Sequence, residues 1–91
     1  MAHLGPDEIG NRLKDAEKLV DKTSKYFHYK TPDKYYSIEG FCIIEATEEV
    51  GVLYRGLYKD FENIVWLRPL SVFLEEVDVD SKKVKRFQKV V

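Results

Sequence analysis

Two short runs carry the residue types best suited to holding a ligand. In Tyr26-Phe27-His28-Tyr29-Lys30, read as a strand, Tyr26, His28 and Lys30 project from one face and Phe27 and Tyr29 from the other, because successive side chains alternate. In Ile64-Val65-Trp66-Leu67-Arg68 the same alternation groups Trp66 with Arg68 and turns Val65 and Leu67 away. Between them, in Val50 to Tyr58, Tyr54 and Tyr58 share one side while Leu53, Arg55 and Leu57 share the other. With these strands as neighbours, His28, Lys30, Trp66, Arg68 and one of Tyr54 or Arg55 converge. A guanidinium offers a bidentate fork to a carboxylate or phosphate, and an indole offers a plate on which a nucleobase stacks. The candidate ligand-binding set is therefore His28, Lys30, Arg55, Trp66 and Arg68, and the ligand class is anionic or nucleotide-like. A structural role competes for the same residues: Trp66 plugging one end of a small barrel, Arg68 paired with Glu49 or Glu75, and His28 satisfying a backbone group.

Catalysis is less well supplied. A nucleophilic site wants Ser, Cys or Thr oriented by a base and a third group, and no such partner for His28 is identifiable in the sequence. The single Cys42 lies in the apolar run Phe41-Cys42-Ile43-Ile44 and reads as a buried, inert thiol. His3 and His28 have no metal-ligand spacing, Glu48-Glu49 reads as a solvated turn, and the glycines at 5, 10, 40, 51 and 56 form no phosphate loop. The reading leans away from an enzyme and needs neither cofactor nor metal. Fifteen basic against sixteen acidic side chains give a formal charge of −1, which argues against duplex nucleic acid as the partner. No run approaches the roughly 18 apolar residues of a membrane span, and Met1 to Gly5 lacks a signal-peptide pattern, so the expected location is cytoplasmic.

Ninety-one residues, 44% hydrophobic and 34% charged, describe one ordered domain near the low end of self-sufficient size. Each large apolar residue is accordingly read first as core. Pro6-Asp7-Glu8 marks a helix start, and Ile9, Leu13, Ala16 and Val20 form a narrow apolar stripe, which predicts one amphipathic helix over 6–24 packed on the rest of the chain. From Lys25 onward the period becomes two. Breaks at Thr31-Pro32-Asp33, Gly40, Thr47-Glu48-Glu49, 59–63 and Asp80-Ser81 delimit strands at 25–30, 35–38, 40–46, 50–58 and 64–68, with a closing hairpin of 76–80 and 83–88. Pro69 to Leu74 makes a helical turn, and the acidic and basic blocks of the last hairpin face each other. The expected fold is mainly β (α+β): a helix over 1–24 packed on a small SH3-like, partly open antiparallel barrel over 25–91.

Three blocks in order, Tyr26-x-His28-Tyr29-Lys30, Tyr54-Arg55-x-Leu57-Tyr58 and Trp66-x-Arg68-Pro69-x-x-x-Phe73-x-Glu75, together with Arg86-Phe87, resemble a family of short bacterial domains of unknown function. The resemblance spans about residues 25 to 88 and implies kinship, with no activity attached. Where that family has Glu-Thr-Gly-Glu, this chain has Ala46-Thr47-Glu48-Glu49, and the N-terminal helix is an addition that covers an open edge or apolar patch. The functional reading is a small binding module for an anionic small molecule. The alternative is a module for protein partners or homodimerisation, working through its aromatic face or outer helix. An enzyme acting on a small phosphorylated or nucleotide compound ranks third.

Overall fold

Proline at the first helical position and carboxylates in the first turn open helix α1 (Pro6–Leu19) in the computed structural model, which describes residues 5–90. Ala16 and Val20 are fully buried and Ile9 and Leu13 half-buried, so the apolar stripe is the packed face. The helix stops five residues before the expected end. The Asp21 carboxylate is the cause: it accepts from the Thr23 N–H at 2.9 Å, the Thr23 hydroxyl at 2.6 Å and the Ser24 hydroxyl at 2.8 Å, a local turn that competes with helical continuation. These contacts, led by the Thr23 hydroxyl, hold the Asp21 carboxyl far below the usual carboxylate range.

Seven strands follow among the described residues: β1 (Lys25–His28), β2 (Thr31–Ile43), β3 (Val50–Gly56), β4 (Val65–Pro69), β5 (Glu76–Val79), β6 (Lys82–Lys85) and β7 (Phe87–Lys89), with the short helix α2 (Leu70–Phe73) after β4. Five make one antiparallel sheet in the order β4-β3-β2-β1-β7, and β5 and β6 form a separate ribbon. The fold is mainly β with one N-terminal helix, as expected, and the sheet does not close into a barrel: β4 and β7 remain its two edges. Among the described residues no helix is long and apolar enough to cross a membrane.

Three boundaries differ from expectation. The first turn is Tyr29-Lys30, because His28 pairs with Thr31, and Thr31-Pro32-Asp33 opens β2 instead. Pro32 is tolerated there since β3 pairs with β2 only from Tyr36 onward, so no ladder bond is lost on that side. The run 35–38 and the first part of 40–46 are one strand, which carries an irregularity between Ile38 and Gly40 and ends at Ile43. The last segment bends at Arg86, whose N–H donates to Glu75 O at 2.9 Å while its carbonyl accepts from Tyr29 N–H at 2.9 Å, so 82–85 pairs with β5 and 87–89 with β1.

The ribbon places Glu76 opposite Lys85 and Asp78 opposite Lys83, the cross-strand complementarity that the charge blocks predict. Its turn puts both Asp80 (φ 50°) and Ser81 (φ 68°) in the left-handed region that a two-residue hairpin turn requires.

Register builds the core. Tyr26 lies opposite Tyr36, Ile38 opposite Tyr54, and His28 opposite Phe87, so these side chains share one face. After the irregularity the parity shifts and Phe41, opposite Val52, takes up that face. Helix α2 drops Phe73 onto it, stacked on Phe87 at 4.4 Å between centroids and 5° between planes, and Val20 of the α1 C-cap joins the same cluster. The Asp21 N–H donates to the Tyr26 hydroxyl at 2.9 Å, fastening the helix end to β1. Cys42 is half-buried on the opposite face, less enclosed than its apolar surroundings suggest.

A candidate ligand-binding cleft

The core face does not end under α2. It continues across β2, β3 and β4 into a cleft of about 190 Å³ lined by Tyr36, Tyr54, Tyr58, Trp66 and Arg68. Pairing of Tyr54 with Trp66 and of Val52 with Arg68 sets Trp66 and Arg68 side by side on β4 beside Tyr54. Tyr36 packs edge-on against Tyr54 at 5.4 Å and against Tyr58 at 5.7 Å, and the Tyr36 and Tyr58 hydroxyls lie 3.1 Å apart. Burial, and next the Tyr58 hydroxyl, pushes the Tyr36 phenol well above its usual range, so it stays neutral. Trp66 is 42% exposed and lies nearly parallel to Phe61, 6.4 Å between centroids and 24° between planes.

Arg68 is the single charge in the lining. Its Nε donates to the Tyr54 hydroxyl at 3.3 Å and its guanidinium carbon sits 5.2 Å from the centre of the Phe87 ring, a cation–π position. Among the described residues no carboxylate pairs with it: Glu49 accepts from the Ser71 hydroxyl at 3.3 Å, and Glu75 pairs with Arg86 at 2.8 Å. Both carboxylates that the structural reading offered to Arg68 are thus engaged elsewhere. Nor does Trp66 plug the core, given its exposure.

The other three residues of the expected set are separated from this cleft. Arg55 lies opposite Ser37 and Val65 on the other face of β3, where it pairs with Glu39. Lys30 sits in the Tyr29-Lys30 turn with its ammonium 5.8 Å from the Tyr29 ring centre. Alternation from Tyr26 fails to carry it onto the core face because the β1–β2 register shifts after Phe27. His28 does share that face, its ring 5.1 Å from Phe87 and 4.7 Å from Tyr29, but it is not part of the lining. Its Nδ1 accepts the Lys30 N–H at 3.2 Å, the backbone duty that the structural reading assigns to it.

Burial, then the positive charges of Arg68, Arg86 and Lys30, lowers the His28 pKa below its ordinary value. A histidine whose folded pKa is depressed takes up more protons when unfolded, so its contribution is complete above the unfolded value near 6.5 and is lost as pH falls through that value toward the folded one. Thermal melts from pH 7.5 down to 5 are therefore expected to show a falling Tm for the wild type and a flatter profile for His28→Gln; parallel profiles would assign the slope to other groups.

Three lining residues, Tyr36, Tyr54 and Tyr58, are absent from the expected set, Tyr54 being the alternative to Arg55. Tyr58 shares the predicted side of Tyr54, so alternation already pointed to it, whereas Tyr36 reads as core. A further addition is Lys34, whose ammonium stands 5.1 Å from the centre of the Tyr58 ring and brings a second cation to the margin of the cleft. Among the described residues no three His, Cys, Asp or Glu side chains converge as a metal site.

Fold and cleft together define a small mainly-β domain whose aromatic face opens beside the Arg68 guanidinium, which has no carboxylate partner among the described residues. Residues 24–89 match the model of the DUF1653 family, described as proteins of unknown function, and the chain belongs to that family. A crystal structure of a DUF1653 protein from Bordetella bronchiseptica is similar with a TM-score of 0.62 at 31% sequence identity, covering 74% of this chain and 83% of that chain. No curated protein matches the chain significantly. Helix α1 precedes the residues matched by the family model.

Proposed function

We propose that the cleft binds a small anion bearing a planar ring, with nucleotides as the best-fitting class. The observation that carries this reading is Arg68, a half-buried guanidinium oriented by a tyrosine hydroxyl, next to an exposed indole and without a carboxylate of its own. A partly desolvated cation lacking a counter-charge is costly, and an arriving phosphate or carboxylate offsets that cost. Trp66 supplies the stacking plate and Lys34 a second positive group. The size of the cleft suits one ring and its anionic group, since sites for drug-sized ligands are larger, about 300–1,000 Å³.

Trp66 is the sole tryptophan, so its emission reports on the site directly. Titration with nucleoside monophosphates, short single-stranded RNA and polyphosphate at low salt is expected to give a saturable change with at least one of them. Arg68→Ala is expected to weaken that binding about 10- to 100-fold, the equivalent of one charge-assisted hydrogen bond. Unchanged emission with every ligand, or an Arg68→Ala protein that is folded by circular dichroism and binds as well as the wild type, would overturn the reading.

A further inference from the structure

The two edges of the five-stranded sheet are unlike. Strand β7 is three residues long and carries Gln88 and Lys89, features that discourage pairing with another chain. Strand β4 carries such protection only at its far end, in Arg68 and Pro69, and none over Val65 to Leu67. Ile64, just before the strand, and Val65-Trp66-Leu67 within it contain no charge, no proline and no register irregularity, and the four residues are 39%, 46%, 42% and 51% exposed. Over Val65 to Leu67 both faces of the edge are therefore apolar and partly exposed, up to Arg68 on the cleft face. A sheet edge also presents backbone N–H and C=O groups that have no protein partner.

We propose that β4 pairs antiparallel with β4 of a second copy of this chain, joining two five-stranded sheets into one. The segment is self-complementary. Continuing a sheet across a two-fold axis keeps each face on its own side, so opposed residues must have numbers that sum to an even value. Centring on Trp66 sets Val65 against the partner's Leu67 on the outer face, and Trp66 against the partner's Trp66 on the cleft face. Ile64 then meets the partner's Arg68, and no like charges are opposed. The outer face extends the apolar contact, because Leu53 lies opposite Leu67 on β3 and Leu67 packs over the side-chain-free surface of Gly51. Complete covering of the four residues would remove on the order of 400 Å² per copy, about 800 Å² in total, which lies below the range of stable complexes and predicts a weak, reversible dimer.

Light scattering and sedimentation velocity from about 10 µM to about 1 mM span the dissociation constants of such an interface. The mass is expected to rise from one chain to two across that range. Leu67→Lys, and independently Val65→Lys, are expected to weaken association at least tenfold; both face away from the cleft, so folding and any ligand response of Trp66 serve as internal controls. Val79→Lys, at an exposed position of the ribbon, is expected to leave association unchanged. Hydrogen exchange on the unmodified protein needs no substitution: amides 64–68 are expected to exchange more slowly at the upper concentration than at the lower. A mass of one chain throughout, or a dimer indifferent to both lysine substitutions with unaltered exchange at 64–68, would overturn the proposal.

Discussion

Phe73→Ala is expected to lower the free energy of unfolding by about 4 kcal/mol. The side chain is fully buried, stacked on Phe87 and in ring contact with Tyr26 at 5.6 Å and Tyr54 at 5.9 Å. It reaches that position because Pro69 starts a single helical turn whose last residue points back onto the sheet. Removing the ring leaves a void that strands β1, β3 and β7 cannot close, since their ladder bonds fix their spacing. A domain of this length has a total stability of about 5–10 kcal/mol, so the variant is expected to be partly unfolded near physiological temperature. Urea titration followed by circular dichroism measures it. A loss under about 1.5 kcal/mol would show that the sheet is held mainly by its own pairing. Phe87→Ala is expected to cost a similar amount, and the double variant less than the sum, because each ring loses the same stacked neighbour.

The residues differ in how openly the sequence announced their roles, and the difference is physical. The stripe of Ile9, Leu13, Ala16 and Val20, the proline start of α2 and the opposed charges of β5 and β6 are short-range patterns, and each appears in the structure as read. The grouping of Trp66, Arg68 and Tyr54 needed only alternation along two strands and their adjacency. What local pattern does not encode is register. Lys30 was expected to share the face of His28, but the two-residue turn is fixed by the pairing of Phe27 with Tyr35 and Tyr26 with Tyr36, partners eight and ten residues away. The turn-forming character of Pro32 and Asp33 lost to that pairing. Arg55 is a case of chemistry read past parity: alternation already set it opposite to Tyr54, and its counter-ion Glu39 lies at the irregularity of β2, which shifts the parity of every later residue in that strand. Lys34 has no assigned role in the sequence reading and Tyr36 reads only as core, because their place beside the cleft depends on Tyr58, which is reached only after β2 and β3 are paired.

Val20→Asp tests how far α1 belongs to the fold, and it is expected to destabilise the whole chain by about 4 kcal/mol in one cooperative transition. The family model begins at residue 24, so a detachable helix would be the natural supposition. The contacts say otherwise. Val20 is fully buried in the cluster that also holds Tyr26, Ile38, Val52 and Phe73, and the next residue fixes the Tyr26 hydroxyl. A carboxylate at position 20 has no cation within that cluster, so it must either stay buried unpaired or lift the helix end and expose the rings beneath. Either course removes the same apolar contacts, which is why a single transition is expected. Leu19→Asp is the control: one residue away but 59% exposed, it is expected to change stability by no more than about 0.5 kcal/mol. Limited trypsin digestion supplies the opposing outcome. If Val20→Asp were cut at Arg12, Lys14 and Lys18 while residues 24–89 kept the wild-type melting temperature, α1 would be a separable attachment and the core of the sheet would be complete without it.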